Sequence, residues 1–307
     1  MHDLSPPESS PVAFEVLTPE FEDLIRHSAR LERLASHCRW AEGPAYFPAL
    51  RSLVWSDIPN DRMLRWDEGS GRVSVLRAPC GHANGNTVDR QGRLISCEHS
   101  GRRVVRTEHD GRLTVLASHF EGRRLNSPND VVVHSDGSVW FSDPPYGIES
   151  DYEGIRAPQE QAGCHVYRWD PVDGSVQAVI RDMRCPNGLA FSPDERWLYV
   201  ADTGQEEGCM RRHAVGPDGQ LGPGEPFLRC DTGFFDGFRC DEAGRLWTSA
   251  GRAVHCYRAD GTLIGRIPMP ERVSNLVFGG LRRNRLFICA SSSVYSLLLA
   301  TNGCPTF

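Results

Sequence analysis

Six polar residues open successive copies of one short pattern along this chain: Glu42, Asn86, Asn129, Asn187, Asp236 and Asn275. Two carboxylates and four amides at equivalent places are difficult to account for as scaffold, because a buried polar side chain without a partner costs roughly 1–3 kcal/mol. Their oxygens are hard donors, which suit Ca²⁺, Mg²⁺ or Mn²⁺ better than a thiolate-seeking metal. One Glu and one Asp just neutralise a divalent ion. Coordination positions then stay open for water or a ligand, which is a catalytic layout more than a structural one.

The elements that carry these residues repeat. The copies read EGPAYFPALRSLVWSD, NTVDRQGRLISCEH, NDVVVHSDGSVWFSD, NGLAFSPDERWLYVAD, DGFRCDEAGRLWTSA and NLVFGGLRRNRLFICAS. Each is a short strand, a polar hairpin-type turn and a second strand rich in Leu, Val and Trp. Leu53, Leu94, Val139, Leu198, Leu246 and Leu286 mark equivalent places in the second strands, at intervals of 41, 45, 59, 48 and 40 residues. Two further strand-like stretches fit between copies, so the pattern predicts an all-β, six-bladed β-propeller with four strands per blade.

The last copy is followed only by SVYSLLLATNG, enough for a third strand. The segment LERLASHC before Glu42 is expected to supply the fourth, an N-to-C closure that leaves no open sheet edge. Residues 1–30, with the helix-prone TPEFEDLIRH, read as a surface extension, and residues 31–307 as one propeller domain. In a propeller the innermost strands line a central channel, so the six polar residues should ring one mouth. The second strands return to that mouth and end in Asp57, Glu98 with His99, Asp143 and Asp202, which are candidates for substrate contact or for ordinary turn roles. The long interval holds PPYGIESDYEGIRAPQEQAG, residues 144–163, read as a loop over the site.

Several classes are disfavoured. A formal charge of −6 gives no footprint for nucleic acid or an anionic membrane surface. No apolar run approaches the ~20 residues that span a bilayer, and MHDLSPPESSPVAFEV lacks the basic and apolar regions of a signal peptide, so a cytoplasmic protein is expected. The eleven cysteines never form a C-x-x-C pair and read as reduced packing residues. There is no G-x-S-x-G elbow, and consecutive strand residues such as Cys97, Glu98 and His99 point to opposite faces, so no nucleophilic triad is expected.

From about Arg33 onward the chain resembles the gluconolactonase and regucalcin (senescence marker protein) family, and its bacterial gluconolactonase-like branch in particular. The resemblance lies in RWAEGPAYFP, SDIPNDRMLRWD, NGNTVDRQGRLISCEH, RLNSPNDVVVHSDGSVWFSDPPYGI, PNGLAFSPD and the aspartate of FFDGF. It implies one divalent metal at the channel mouth, held by Glu42, Asn129, Asn187 and Asp236. Ca²⁺ is the expected ion, with Mg²⁺, Mn²⁺ and Zn²⁺ as alternatives. It also implies a small sugar lactone as substrate, opened by water as the metal polarises the carbonyl, with Asp236 as the catalytic carboxylate. Asn86 and Asn129 are the substrate-binding candidates, Asn86 alternatively a further metal ligand. Vertebrate members carry an arginine two residues before the asparagine matching Asn129; here Ser127 stands there, so sugar selectivity is expected to differ. A metal-dependent esterase or phosphotriesterase and a non-catalytic calcium-binding propeller are the competing readings. A monomer or weak homodimer is expected.

Overall fold

The inner and second strands of every sequence copy pair as antiparallel hairpins, and each hairpin grows outward into a four-stranded sheet. In the computed structural model, which describes residues 8–204 and 208–305, six such sheets form a propeller. Blade one runs from Ala41–Phe47 to Val73–Arg77, blade two from Ala83–Val88 to Leu113–Ala117, and blade three from Val131–Val133 to Val176–Met183. Blade four runs from Pro186–Phe191 to Glu225–Arg229 and blade five from Phe238–Cys240 to Leu263–Pro268. Blade six is Val273–Gly279, Arg285–Ala290 and Ser293–Leu298, completed by Arg30–Ala35. That last strand lies antiparallel to Ser293–Leu298, with Val294 opposite Ala35 and Ser296 opposite Glu32. The predicted closure is present, and the inner strand of blade six packs on that of blade one.

The second strands are buried on both faces, which is why they read as near-continuous apolar runs instead of alternating. Leu53 and Trp55, Trp140 and Phe141, and Leu286 and Phe287 are at most 2% exposed and fill the spaces between blades. The fourth strand of blade one, Val73–Arg77, is exposed along most of its length. All eleven cysteines are free, and Cys97, Cys256 and Cys289 are among the core residues. Ahead of the closing strand, Glu8–Pro11 pairs with Arg30–Ala35 and Glu15–Val16 pairs with Leu263–Pro268. A single helical turn, Pro19–Glu22, drops Phe21 into the core with its ring centroid 6.0 Å from that of Trp247.

Around the channel the inner strands touch backbone to backbone. A Cβ on Gly43 would fall 2.0 Å from the carbonyl oxygen of Asn84 in the next blade, and one on Gly188 would fall 2.0 Å from that of Asp236. These glycines set the channel's width, since any side chain there would force the blades apart. We expect Gly188→Ala to lower stability by about 2–4 kcal/mol, read as a shift of the urea midpoint; an unchanged midpoint contradicts the close packing described.

Candidate active site

The residues at the mouth are aimed by breaks in strand pairing. Ala41 pairs with Asp57, Ala83 with Glu98 and Pro186 with Asp202; the register shifts directly after Ala83 and Pro186, and in blade one it shifts one residue later, after Glu42 opposite Ser56. Such a bulge leaves residues unpaired and turns their side chains out of the regular pleat. Glu42, Asn84 and Asn187 are therefore counterparts. Asn129 and Asp236 lie just before the first paired residues of their strands, tied down by Asn129 N donating to the Ser142 carbonyl (2.8 Å) and Asp236 N donating to Ser249 Oγ (2.8 Å). Glu42, Asn129, Asn187 and Asp236 come together on one cavity of about 280 Å³, with Asn84 beside them.

Asn86 is elsewhere, which corrects its reading as a substrate-binding or metal-ligating residue. Its Nδ2 donates to the Gly43 carbonyl (2.8 Å), Ser56 Oγ (2.9 Å) and the Asn84 carbonyl (2.9 Å), while its Oδ1 accepts from Ser96 Oγ (2.7 Å). At 1% exposure it ties blade two to blade one, and the ring position belongs to Asn84. Asn275 is also displaced from the ring: its Nδ2 donates to Glu42 Oε2 (3.0 Å) while its Oδ1 accepts from Leu276 N. With the Gly43 amide at 2.6 Å from the same oxygen, Asn275 fixes the orientation of Glu42.

The acidic ends of the second strands hold loops. Asp57 accepts from the amides of Arg39 (2.8 Å) and Trp40 (3.4 Å), Asp143 from that of Asn126 (2.8 Å), and Asp202 from those of Arg184 (3.1 Å) and Cys185 (2.9 Å). Each clamps the segment leading into its own blade's inner strand, just before Glu42, Asn129 or Asn187. Glu98 does something else, pairing with Arg77 (3.0 Å) and Arg103 (2.6 Å).

Residues 144–163 cover the rim. Their short helix, Tyr146–Glu149, is fastened by Ser127, whose hydroxyl donates to the Pro144 carbonyl (2.6 Å) and accepts from Gly147 N (2.9 Å). Ser127 is fully buried and serves the lid, and Tyr146 and Glu153 of the lid line the cavity. Tyr146 also hydrogen-bonds Thr203. Sequence reasoning missed Glu153 because nothing in a polar loop marks which side chain turns inward. The other end of the channel opens into a cavity of about 320 Å³ between Val133, Phe191 and Phe278, which holds none of these donors.

Two carboxylates, the buried Glu42 and the partly buried Asp236, dominate the electrostatics of the cavity. Burial, then the charge of Asp236, pushes Glu42 well above the usual carboxylate range. Burial, then the charges of Asp130 and Glu153, pushes Asp236 up to about 7, against the pull of Arg272 and of the Asn187 amide. Arg272 is the one cationic side chain on the cavity wall, and among the described residues neither Glu42 nor Asp236 forms an ion pair. No group of three or more His, Cys, Asp or Glu suited to a metal occurs among the described residues. A hard cation here would therefore depend on amide oxygens as well as on Glu42 and Asp236.

Fold and site define a propeller with a single lidded, acidic, amide-rimmed mouth. The chain belongs to the SMP-30/Gluconolactonase/LRE-like family, whose pattern matches residues 40–292. A gluconolactonase from Zymomonas mobilis is 30% identical over 93% of this chain and 86% of its own length. A pentonolactonase from Haloferax volcanii is 30% identical over 82% of this chain and 81% of its own length. The solved structure of a gluconolactonase from Xanthomonas campestris, 39% identical, superposes with a TM-score of 0.89 over 96% of each chain. No helix among the described residues is long and apolar enough to cross a membrane.

The raised Asp236 makes a prediction for the metal-free protein. From its ordinary value of 3.8 up to about 7 the native state keeps a proton that the unfolded chain releases. This group's contribution is therefore intact below pH ~4 and is lost as pH rises toward 7. Thermal melts across that range should show wild type losing stability relative to Asp236→Asn. A difference that is flat or rises with pH contradicts the burial described.

Proposed function

We propose that this protein hydrolyses small sugar lactones at the lidded mouth, with one divalent cation, Ca²⁺ the expected ion, as its cofactor. The observation that carries the reading is the pair Glu42 and Asp236: one buried and one partly buried carboxylate facing one cavity with the amides of Asn129 and Asn187, and with no ion-pair partner among the described residues. Burying like charges together is costly, and a hard divalent ion relieves both at once. The donor chemistry of the four residues fits that ion. The names of the relatives supply the substrate class, since the Zymomonas protein is a gluconolactonase and the Haloferax protein a pentonolactonase.

Glu42, Asn129, Asn187 and Asp236 would hold the ion, which when bound polarises the lactone carbonyl as a Lewis acid. The chain's own residues do the rest. Asp236 takes the proton of the attacking water and returns it to the ring oxygen as the acyl–oxygen bond breaks, so the product leaves as an open hydroxy acid. Asn275 and the Gly43 amide keep Glu42 in one orientation throughout. The lid side chains Tyr146 and Glu153 narrow the cavity and limit bulk water, and Asn129 contacts the substrate as well as the ion.

Chelator-treated protein should lose hydrolysis of aldonolactones, followed with a pH indicator, and regain it with Ca²⁺ or another divalent ion. Asp236→Asn should lower kcat by about 10²–10⁴ when metal is still bound. Wild-type turnover in that variant contradicts Asp236 as the proton acceptor, and metal-indifferent hydrolysis contradicts the cofactor.

A further inference from the structure

Asn84 on the cavity wall and His99 behind it form a buried pair to which the proposed hydrolysis assigns no role. Asn84 holds the ring position of blade two, is 4% exposed and lines the cavity. His99 follows the second strand of the same blade and is fully buried. Its Nδ1 lies 2.9 Å from the backbone oxygen of Glu153 in the lid, and its Nε2 lies 3.2 Å from Asn84 Nδ2. The lid rests directly on the ring, since a Cβ on Gly147 would fall 2.4 Å from that of His99.

Donor and acceptor polarity admits one arrangement along this chain. A carbonyl oxygen only accepts, so His99 Nδ1 carries the proton. Burial pushes the imidazole pKa down to about 4, which leaves the ring neutral near pH 7 and Nε2 bare. A bare nitrogen accepts, so the Asn84 amide must present its N–H to His99. The other end of that amide, Oδ1, is then the end turned away from His99 toward the cavity, and it takes no hydrogen bond from the described residues.

We infer that Asn84 Oδ1 is a hydroxyl-reading contact of the site and that His99 is a positioning residue, its tautomer fixed by the lid's Glu153 carbonyl and its bare Nε2 holding the Asn84 amide in place. The sugar identity of the hydroxyl rests on the lactone-hydrolase reading; the orientation of the amide does not. An acceptor held this way favours a ligand with a hydroxyl at that point, because a ligand without one displaces water and leaves the oxygen unpartnered. Hydroxyl recognition is thereby tied to the lid, since displacing Glu153 removes the carbonyl that fixes the tautomer.

The orientation is tested by ¹⁵N NMR of the His99 ring in the full-length protein at pH 7. Nδ1 protonated with Nε2 bare is expected, and Asn84→Asp, which offers Nε2 only acceptors, should add a proton there. The reverse tautomer or an imidazolium in wild type overturns the inference whether or not the protein cleaves lactones. Recognition is tested with D-glucono-δ-lactone against δ-valerolactone, which carries no hydroxyl. Asn84→Ala should cut the kcat/KM preference for the hydroxylated lactone about three- to tenfold. His99→Gln should act in the same direction, and the double variant should do no worse than Asn84→Ala. Equal losses on both lactones, or fully additive losses, overturn it. If wild type turns over neither lactone, the lactone reading fails by itself; calorimetric binding of D-gluconate then decides, with weaker binding by Asn84→Ala expected and unchanged binding overturning the contact.

Discussion

Two carboxylates, the buried Glu42 and the partly buried Asp236, share the channel mouth, and much of the local structure serves to keep them there. Charge taken out of water is costly, and two like charges raise each other's cost. Glycines let the inner backbones meet at the channel, bulges turn the donors inward, and Asn275 with the Gly43 amide immobilises Glu42. In the proposed function this pair is what a hard cation would engage.

Acidic residues of the same chemistry do two different jobs around this mouth. Asp57, Asp143 and Asp202 accept backbone amides and anchor the loops that lead to Glu42, Asn129 and Asn187. Both oxygens of Asp57 and of Asp202 are committed to the chain, and one oxygen of Asp143 is. Glu42 and Asp236 instead line the cavity, so they remain able to engage a ligand. The lid is fixed to this frame at Ser127 and His99, which places Tyr146 and Glu153 over the site.

The six blades were legible in the sequence because second strands buried on both faces stay apolar along their length and the hairpin turns between them are short. Closure by the segment before Glu42 was legible from the missing fourth strand of the last copy. Glu42, Asn129, Asn187 and Asp236 could be found because each sits beside a Pro or Gly at the head of its copy. Asn86 was misassigned because NGN offers asparagines at both 84 and 86, and only pairing shows that Asn84, next after Ala83, matches Glu42 after Ala41 and Asn187 after Pro186. The inward turn of Glu153, and the contact of His99 with Asn84, depend on how the lid folds back over the rim. No periodicity records that.

The most direct test of this account is calorimetric titration of chelator-treated protein with Ca²⁺, in wild type and in Glu42→Gln. The account predicts one ion bound per chain in wild type, with proton release near pH 6 as the raised carboxylates ionise, and strongly weakened binding in the variant. Absence of binding in wild type, or equal affinity in Glu42→Gln, would contradict a mouth organised around two carboxylates that share one cation.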